Sequence, residues 1–191
     1  VGGVNFSSND RFENINSAAY FDGNDDYIDC GTDGSLNITG SLTVSAWIKT
    51  SSYGEIANKV RHGTGNAYDD AWEFKVISDG RAYFDVTDGV SDPHLFSDIT
   101  VNDDSWQHIV AVFSAFENTT KIIINNTNFF EMDAPDFIID NLSTPMFLGA
   151  AYRPDGDTEQ HLNGYLDDIR VYSRALSDAE IDALFHENGW E

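Results

Sequence analysis

The sequence is poor in cysteine, in basic residues and in long apolar runs. Cys30 is the single cysteine, so no disulfide can form within the chain. Lys and Arg together number 10 against 33 Asp and Glu, which gives a formal net charge of −23. A surface this acidic repels phosphate backbones and anionic lipid. The apolar runs are also shorter than the roughly 18 residues that a membrane helix needs. We therefore predict no nucleic-acid partner and no membrane insertion.

The acidic surplus has two interpretations. Hard cations such as calcium prefer carboxylate and carbonyl oxygens, so the charge suits metal binding. Alternatively, the acidity only keeps the chain soluble, as in proteins from saline habitats. The two can hold together, and the composition does not separate them.

Most of the sequence consists of short predicted strands that are separated by clusters of Gly, Asp, Asn and Ser. Apolar and polar residues alternate over Leu42 to Lys49, a period of two that predicts a strand with one buried face. The segments 71–77 and 81–87 flank Ser78-Asp79-Gly80 and predict a β-hairpin. Two more strands are predicted over 106–113 and 121–125. A length of 191 residues suits one all-β antiparallel sandwich, so we expect a single domain over residues 1–191.

One short C-terminal helix interrupts this pattern. Ser177 and Glu180 have the spacing of a capping box, in which each side chain bonds the other residue's backbone. Ile181, Leu184 and Phe185 then form a one-sided apolar stripe. The two long polar stretches, 61–70 and 152–161, are predicted as loops, and loops of a sandwich commonly carry its binding residues.

Two segments resemble the laminin G-like modules of the concanavalin A-like lectin/glucanase superfamily. The first is Ala19-Tyr20-Phe21-Asp22-Gly23-Asn24-Asp25-Asp26-Tyr27-Ile28, and the second runs from Leu162-Asn163-Gly164-Tyr165-Leu166-Asp167-Asp168 through Ser177 into the helix. Between them, Leu42 to Lys49 and Ser105 to Ala111 resemble two further strands of that family. The resemblance implies a jelly roll of two packed antiparallel sheets whose first and last strands lie close together.

The same resemblance implies a structural calcium ion between the early turn and the late strand. It points to Asp22, Gly23, Asp25 and Asp167 as ligands, with Gly23 offering a backbone carbonyl. Calcium takes six to eight oxygens, so further carbonyls and waters would complete the shell. The alternative is that Asp22 and Asp25 only shape an Asx turn, while Asp168 pairs with Arg170 or another neighbour.

Two polar clusters are candidates for a carbohydrate site, because sugars stack on aromatic rings while carboxylates, amides and Arg bond their hydroxyls. The predicted ligand-binding residues are Tyr68, Asp69, Asp70, Trp72, Tyr152, Arg153, Asp155, Asp157 and Gln160. The resemblance to pentraxins places Gln160 and Asp157 near calcium-binding positions, although the pentraxin Glu-Gln-Asp run is absent here. The alternative is a solvated acidic rim with Trp72 in the core.

Catalytic patterns are missing from the sequence. Glucanases of this superfamily carry Glu-x-Asp-x-Glu on one strand, whereas Glu180-Ile181-Asp182 belongs to the predicted helix. The sequence also lacks a Gly-x-Ser-x-Gly elbow and a zinc-type His spacing. The chain is therefore predicted not to be an enzyme.

The functional prediction is a calcium-stabilised, lectin-like module of a secreted or cell-surface protein, serving adhesion or substrate targeting. Its expected partner is a glycan or polysaccharide. The alternatives are a calcium-dependent adhesion module that binds a surface protein without glycan specificity, and a structural spacer. The chain begins Val1-Gly2-Gly3 without Met, and we expect it to be part of a larger multidomain protein.

Overall fold

The computed structural model describes residues 3–62, 68–136, 138–153 and 155–190, without the side chains of Ser7, Tyr68, Asp69 and Asn188. Strands dominate it, as the period-two segments predict. The strands are β1 Asn5–Ser8, β2 Ala18–Asp22, β3 Ile28–Asp29, β4 Leu42–Thr50, β5 Gly54–His62, β6 Tyr68–Val76, β7 Arg81–Val86, β8 His94–Thr100, β9 Gln107–Ser114, β10 Thr119–Ile124, β11 Asn128–Asp133, β12 Phe147–Leu148, β13 Ala151–Tyr152, β14 Thr158–Glu159 and β15 Asn163–Tyr172.

These strands form two sheets of a jelly-roll sandwich. The first sheet has the order β1-β2-β15-β4-β9-β10-β11, and the second has the order β14-β13-β5-β6-β7-β8, with β12 joining β5 to β3. The pairings are antiparallel except for one parallel bridge between β13 and β5. The early and late strands do lie side by side, since β2 pairs with β15. The predicted all-β sandwich is thus confirmed.

The core lies between the two sheets. Residues such as Phe21, Ile48, Phe74, Phe84 and Phe113 come from both sheets and are fully buried. Their neighbours along each strand point away from the core, because successive side chains in a strand alternate between faces. The outer face of each sheet therefore carries a different set of side chains, and the candidate sites lie there.

The predicted helix is α1, Asp178–Phe185, and it packs on the outer face of the first sheet. The Glu180 carboxylate accepts a bond from the Ser177 backbone N–H at 2.9 Å, as the capping box predicts, and a second bond from the Ser177 hydroxyl at 2.8 Å. Ile181 packs against Val110 and Val112, so β9 is buried on both faces. A helix that could cross a membrane was not found in the described ranges.

Three local predictions differ from the structure. The stretch 61–70 was predicted as a loop, but residues 61–62 end β5 and residues 68–70 begin β6, while residues 63–67 lie outside the described part. The stretch 152–161 is not a simple loop, because β13 and β14 form a short hairpin within it. Trp72 is 1% exposed and lies in the core cluster, so its assignment to a ligand site was wrong. The reason is register. Trp72 shares a face of β6 with Phe74 and Val76, which both point inward.

Candidate metal-binding and ligand-binding sites

A tight acidic turn follows β2. Asp22, Asp25 and Asp26 each offer a carboxylate oxygen, and these oxygens lie within 4.8 Å of one another. The buried Asp26 accepts a bond from the Asp22 backbone N–H at 2.9 Å, and Asp22 accepts one from the Asn24 N–H at 2.8 Å. Gly23 has φ +79°, and a Cβ there would come within 2.8 Å of the Asn163 side chain, so the turn requires glycine.

The donor set of this turn fits a hard cation. Three carboxylates lie close together, all the donors are oxygens, and each carboxylate that accepts an N–H keeps free lone pairs. Asp22, Gly23 and Asp25 of the predicted ligand set thus lie together in one turn. Asp26, which was not in the predicted set, belongs to the same cluster of carboxylates. The sequence indicates Asp26 by its position, because it directly follows Asp25 in the same turn.

Asp167 is not part of this turn, which corrects the predicted ligand set. The ladder pairs Asp22 with Asn163, and Asp167 lies four positions further along β15, about 13 Å away at strand spacing. Its carboxylate instead accepts a bond from Arg11 Nη1 at 2.7 Å, while Arg11 Nη2 donates to Asp168 at 2.7 Å. Burial and the neighbouring Asp168 raise the pKa of Asp167. The late Asp-Asp pair binds an arginine.

A cluster of polar and charged side chains lies on the outer face of the second sheet. His62 on β5 contacts Glu73 of β6 through Nε2 at 3.0 Å and Glu159 of β14 through Nδ1 at 2.9 Å. Lys75 forms an ion pair with Glu73 and donates to the Gln160 Oε1 at 3.4 Å. We call His62, Glu73, Lys75, Glu159 and Gln160 the outer-face network. It joins the sheet centre to the β13–β14 hairpin.

The pKa shifts in this network follow from its ion pairs. Burial lowers the pKa of His62, but the hydrogen bonds and charge of Glu73 and Glu159 outweigh burial and raise it to about 9. Burial raises the pKa of Glu73, yet the bonds to His62 and Lys75 bring it down to about 2. At neutral pH the network therefore contains two cations, His62 and Lys75, held between carboxylates.

Glu55 lies beside this network and has the opposite behaviour. Burial, and then the charge of Glu73, raise its pKa well above the usual range. A protonated and an ionised glutamate on neighbouring strands are the pair that glycosidases use. Here, however, Glu55 is 0% exposed, and the Lys75 ammonium contacts both carboxyl groups. The pair is therefore closed to a substrate in this structure.

The β13–β14 hairpin brings several predicted residues to the edge of the outer-face network. Arg153 donates to Glu159 and to Asp155, both at 3.1 Å. Tyr152 stacks on Phe147 with ring centroids 5.6 Å apart. Asp155 and Asp157 are exposed in the turn of the hairpin. Arg153 and Gln160 thus converge, whereas the two aspartates lie at the rim.

The remaining predicted residues come from the start of β6. Asp70 is half-buried, and its carboxylate accepts a weak bond from the Arg61 N–H at 3.4 Å. Burial raises its pKa, which the charge of His62 opposes. Asp70 therefore lies near the outer-face network. The side chains of Tyr68 and Asp69 lie outside the described part of the structure.

Sequence reasoning missed an aromatic group on the same outer face. Tyr83 lies 5.9 Å from the ring of His94 and 5.1 Å from that of Phe96. Lys75 sits 5.0 Å from the Tyr83 ring, a cation–π contact that links this group to the network. The signal was available, because Tyr83 alternates with the apolar Ala82 and Phe84 along β7.

A family model described as the concanavalin A-like lectin/glucanases superfamily matches residues 22–182. The chain therefore belongs to this superfamily, as a laminin G-like domain. This match begins at Asp22, within the first of the two end motifs, and includes the second from Leu162 to Ser177. It confirms the resemblance seen in the sequence. The comparison with curated proteins found no match.

Solved structures with the same fold include several binding domains. The sialidase CBM40 of Ruminococcus gnavus bound to α2,3-sialyllactose has 16% identity and a TM-score of 0.74, covering 88% of this chain and 96% of that one. A SAP-like pentraxin from Limulus polyphemus has 20% identity and a TM-score of 0.63, covering 89% and 82%. The botulinum neurotoxin serotype D binding domain has 14% identity and a TM-score of 0.71, covering 98% of this chain and 45% of that one. At these identities the likeness shows the fold.

Proposed function

We propose that this chain is a non-catalytic glycan-binding module that uses the outer face of the second sheet and is stabilised by calcium at the Asp22–Asp26 turn. The observation that carries the glycan proposal is the convergence of Arg153 and Gln160 with His62 and Lys75 beside the Tyr83 ring. Cationic and amide donors next to an aromatic group are the chemistry that recognises sugar hydroxyls and carboxylates.

The structural neighbours support this proposal at the level of class. The CBM40 structure carries sialyllactose, and the neurotoxin and pentraxin domains share the same sandwich. Modules of this kind act outside the cell, so we propose a secreted or surface-attached parent protein with further domains. Adhesion through a protein partner is the competing function.

Replacing Arg153 with alanine should weaken glycan binding at least tenfold and leave the melting temperature almost unchanged. The Arg153 side chain is 37% exposed, so its ion pairs with Asp155 and Glu159 contribute little to stability. Loss of its donors would leave sugar oxygens unpaired in the complex. The ligand should first be found on an array of sialylated and neutral glycans with calcium present, and its affinity then measured by calorimetry.

Arg174 provides the matched control for this test. It is also a surface arginine that binds a carboxylate, Glu180, but it lies beside α1 on the other sheet. Arg174→Ala should leave glycan affinity unchanged. The proposed site would be contradicted if no glycan on the array bound, or if Arg153→Ala bound the glycan as tightly as the unmodified chain. Either result would favour a protein partner.

Calcium should raise the melting temperature by about 5–10 °C at a concentration 100 times its Kd. A ligand bound only by the folded state contributes about 2.7 kcal/mol at that concentration, and 1 kcal/mol shifts the melting temperature of a domain this size by about 2–4 °C. Calorimetry with calcium and with chelator measures the shift.

Asp25→Asn separates metal binding from the fold of the turn, because Asp25 is exposed while Asp26 is buried and bonded to the backbone. This variant should lose most of the calcium response. Asp98→Asn, at an exposed aspartate of β8, should keep it. An identical response to calcium and chelator in all three proteins would rule out this metal site.

A further inference from the structure

A row of aromatic side chains crosses the outer face of the first sheet, on the opposite side of the sandwich from the outer-face network. The ladders pair Tyr20 with Tyr165 and Tyr165 with Lys49. Gln107 pairs with Ile48, which places Trp106 next to Lys49. The ring centroids of Tyr20 and Tyr165 lie 5.0 Å apart, and those of Trp106 and Tyr165 lie 6.3 Å apart.

The core does not account for these rings. Phe21 and Leu166, which follow Tyr20 and Tyr165 along their strands, are at most 2% exposed and lie between the sheets, as does Ile48 beside Lys49. Tyr20, Tyr165 and Trp106 point the other way and stay half-exposed. Strands are spaced by about 4.8 Å, so the row extends over about 14 Å from β2 to the start of β9.

A cleft of about 330 Å³ lies at the Trp106 and Tyr165 end of this row, and the Tyr20 ring adjoins it behind Tyr165. Lys49, Trp106 and Tyr165 line one side, and residues 8–10 with Glu13 line the other. The Ser8 hydroxyl, the Asn9 amide and the Glu13 carboxylate are the polar groups of that second side. Asn9 donates to Glu13 at 3.2 Å, which sets both side chains at the rim.

The wall formed by residues 9–14 is fixed before any ligand arrives. Asp10 is buried and accepts bonds from the backbone N–H groups of Phe12 and Asn14, at 2.8 and 2.9 Å, and from the Asn14 amide at 2.9 Å. Arg11 anchors the same segment to β15 through Asp167 and Asp168. A preformed wall lowers the entropy that binding must offset.

We propose that this cleft is a second binding site, and that it takes a linear neutral oligosaccharide. The half-buried rings of Trp106 and Tyr165, with centroids 6.3 Å apart, offer stacking surfaces to neighbouring sugar units. The carboxylate, amide, hydroxyl and ammonium groups of Glu13, Asn9, Ser8 and Lys49 can bond sugar hydroxyls. Lys49 is the one cation among the lining residues, against Asp10 and Glu13, and the chain carries a net charge of −23, so anionic sugars are disfavoured.

The test measures calorimetric binding of a panel of neutral linear hexasaccharides, of glucose, mannose and xylose in β1,3 and β1,4 linkage. At least one should bind, more tightly than an oligogalacturonate of the same length. Trp106→Ala should weaken that binding at least tenfold, and Trp106→Phe should restore most of it. Phe116→Ala, at an aromatic residue that is 95% exposed elsewhere, should have no effect.

Two further variants test whether the oligosaccharide binds in this cleft. Glu13→Asn tests the opposite wall without disturbing the fold, because asparagine tolerates the left-handed φ of +62° at this position, and it should weaken binding severalfold. Arg153→Ala should leave this binding intact, which separates the cleft from the site on the other sheet. Absence of binding by every neutral hexasaccharide at millimolar concentration would overturn the proposal, as would unchanged binding by Trp106→Ala or preference for a charged oligosaccharide.

Discussion

Replacing Arg11 with alanine should lower the free energy of unfolding by about 3–5 kcal/mol, the usual cost of removing one partner from a buried ion pair. The Arg11 side chain is 1% exposed, and it bonds both Asp167 and Asp168. Its guanidinium also lies 4.6 Å from the Trp47 ring and 4.5 Å from the Phe12 ring. Without Arg11, the two adjacent carboxylates would be left with the more distant Arg170, whose Nη2 lies 3.8 Å from Asp168 Oδ1. Urea denaturation measures the loss of stability.

Neutralising the carboxylates should reverse part of this effect. Adding Asp167→Asn and Asp168→Asn to Arg11→Ala removes the unpaired charges and should restore a substantial share of the stability. Arg11→Lys should fall between the two, because an ammonium cannot bond two carboxylates through a planar fork. A loss below 1 kcal/mol for Arg11→Ala would show that solvent screens this ion pair.

The second large effect concerns pH. In the folded protein the pKa of His62 is about 9, against an ordinary value of 6.5. Because folding raises this pKa, protonated His62 increases the free energy of unfolding. The increase is fully present below pH 6.5 and is lost as the pH rises through about 9. A shift of this size corresponds to roughly 3 kcal/mol, and the side chain is only 20% exposed, so screening is limited.

Urea denaturation at pH 6.5 and 9.5 measures this contribution. The unmodified chain should lose roughly 3 kcal/mol more than His62→Gln over this interval. His186→Gln, at an exposed histidine near the C-terminus, should behave like the unmodified chain. His108 does not confound the comparison, because burial lowers its pKa to about 4 and its titration falls below pH 6.5. Equal pH dependence in His62→Gln and the unmodified chain would disprove the assignment.

Glu73 determines how the stability contributed by the same network changes at acidic pH. Its pKa of about 2 lies below the ordinary 4.5, so its contribution is present above pH 4.5 and is lost as the pH falls through about 2. Glu73 thus loses its contribution to stability at acidic pH, and His62 loses its contribution at alkaline pH. Considered alone, they favour greatest stability between about pH 4.5 and 6.5.

Local patterns predicted the positions of the main strands. Leu42, Val44, Ala46 and Ile48 of β4 face the core, as their alternation predicts. The prediction of one buried face was wrong, because β4 is buried on both faces. On the outer face, Trp47 is covered by Phe185 and Trp190. The turn Ser78-Asp79-Gly80 joins β6 to β7 in the predicted hairpin. The short hairpin of β13 and β14 was missed because two-residue strands are too brief to show a period.

The sites depended on register and on distant partners, which sequence patterns do not contain. Asp22 and Asp167 belong to neighbouring strands, but the ladder offsets them by four positions. Arg11 is 156 residues from Asp167, and no local motif marks that contact. Trp72 was placed in a ligand site because it follows a polar stretch, although its alternation with Phe74 places it in the core.

The anchoring of residues 9–14 also bears on where the N-terminal boundary of this domain lies. The family match begins at residue 22, after β1 and nearly all of β2. An expression boundary chosen at that position would discard the strand that pairs with β15 and the guanidinium that neutralises its two aspartates. The physical unit therefore extends further toward the N-terminus than the conserved profile does.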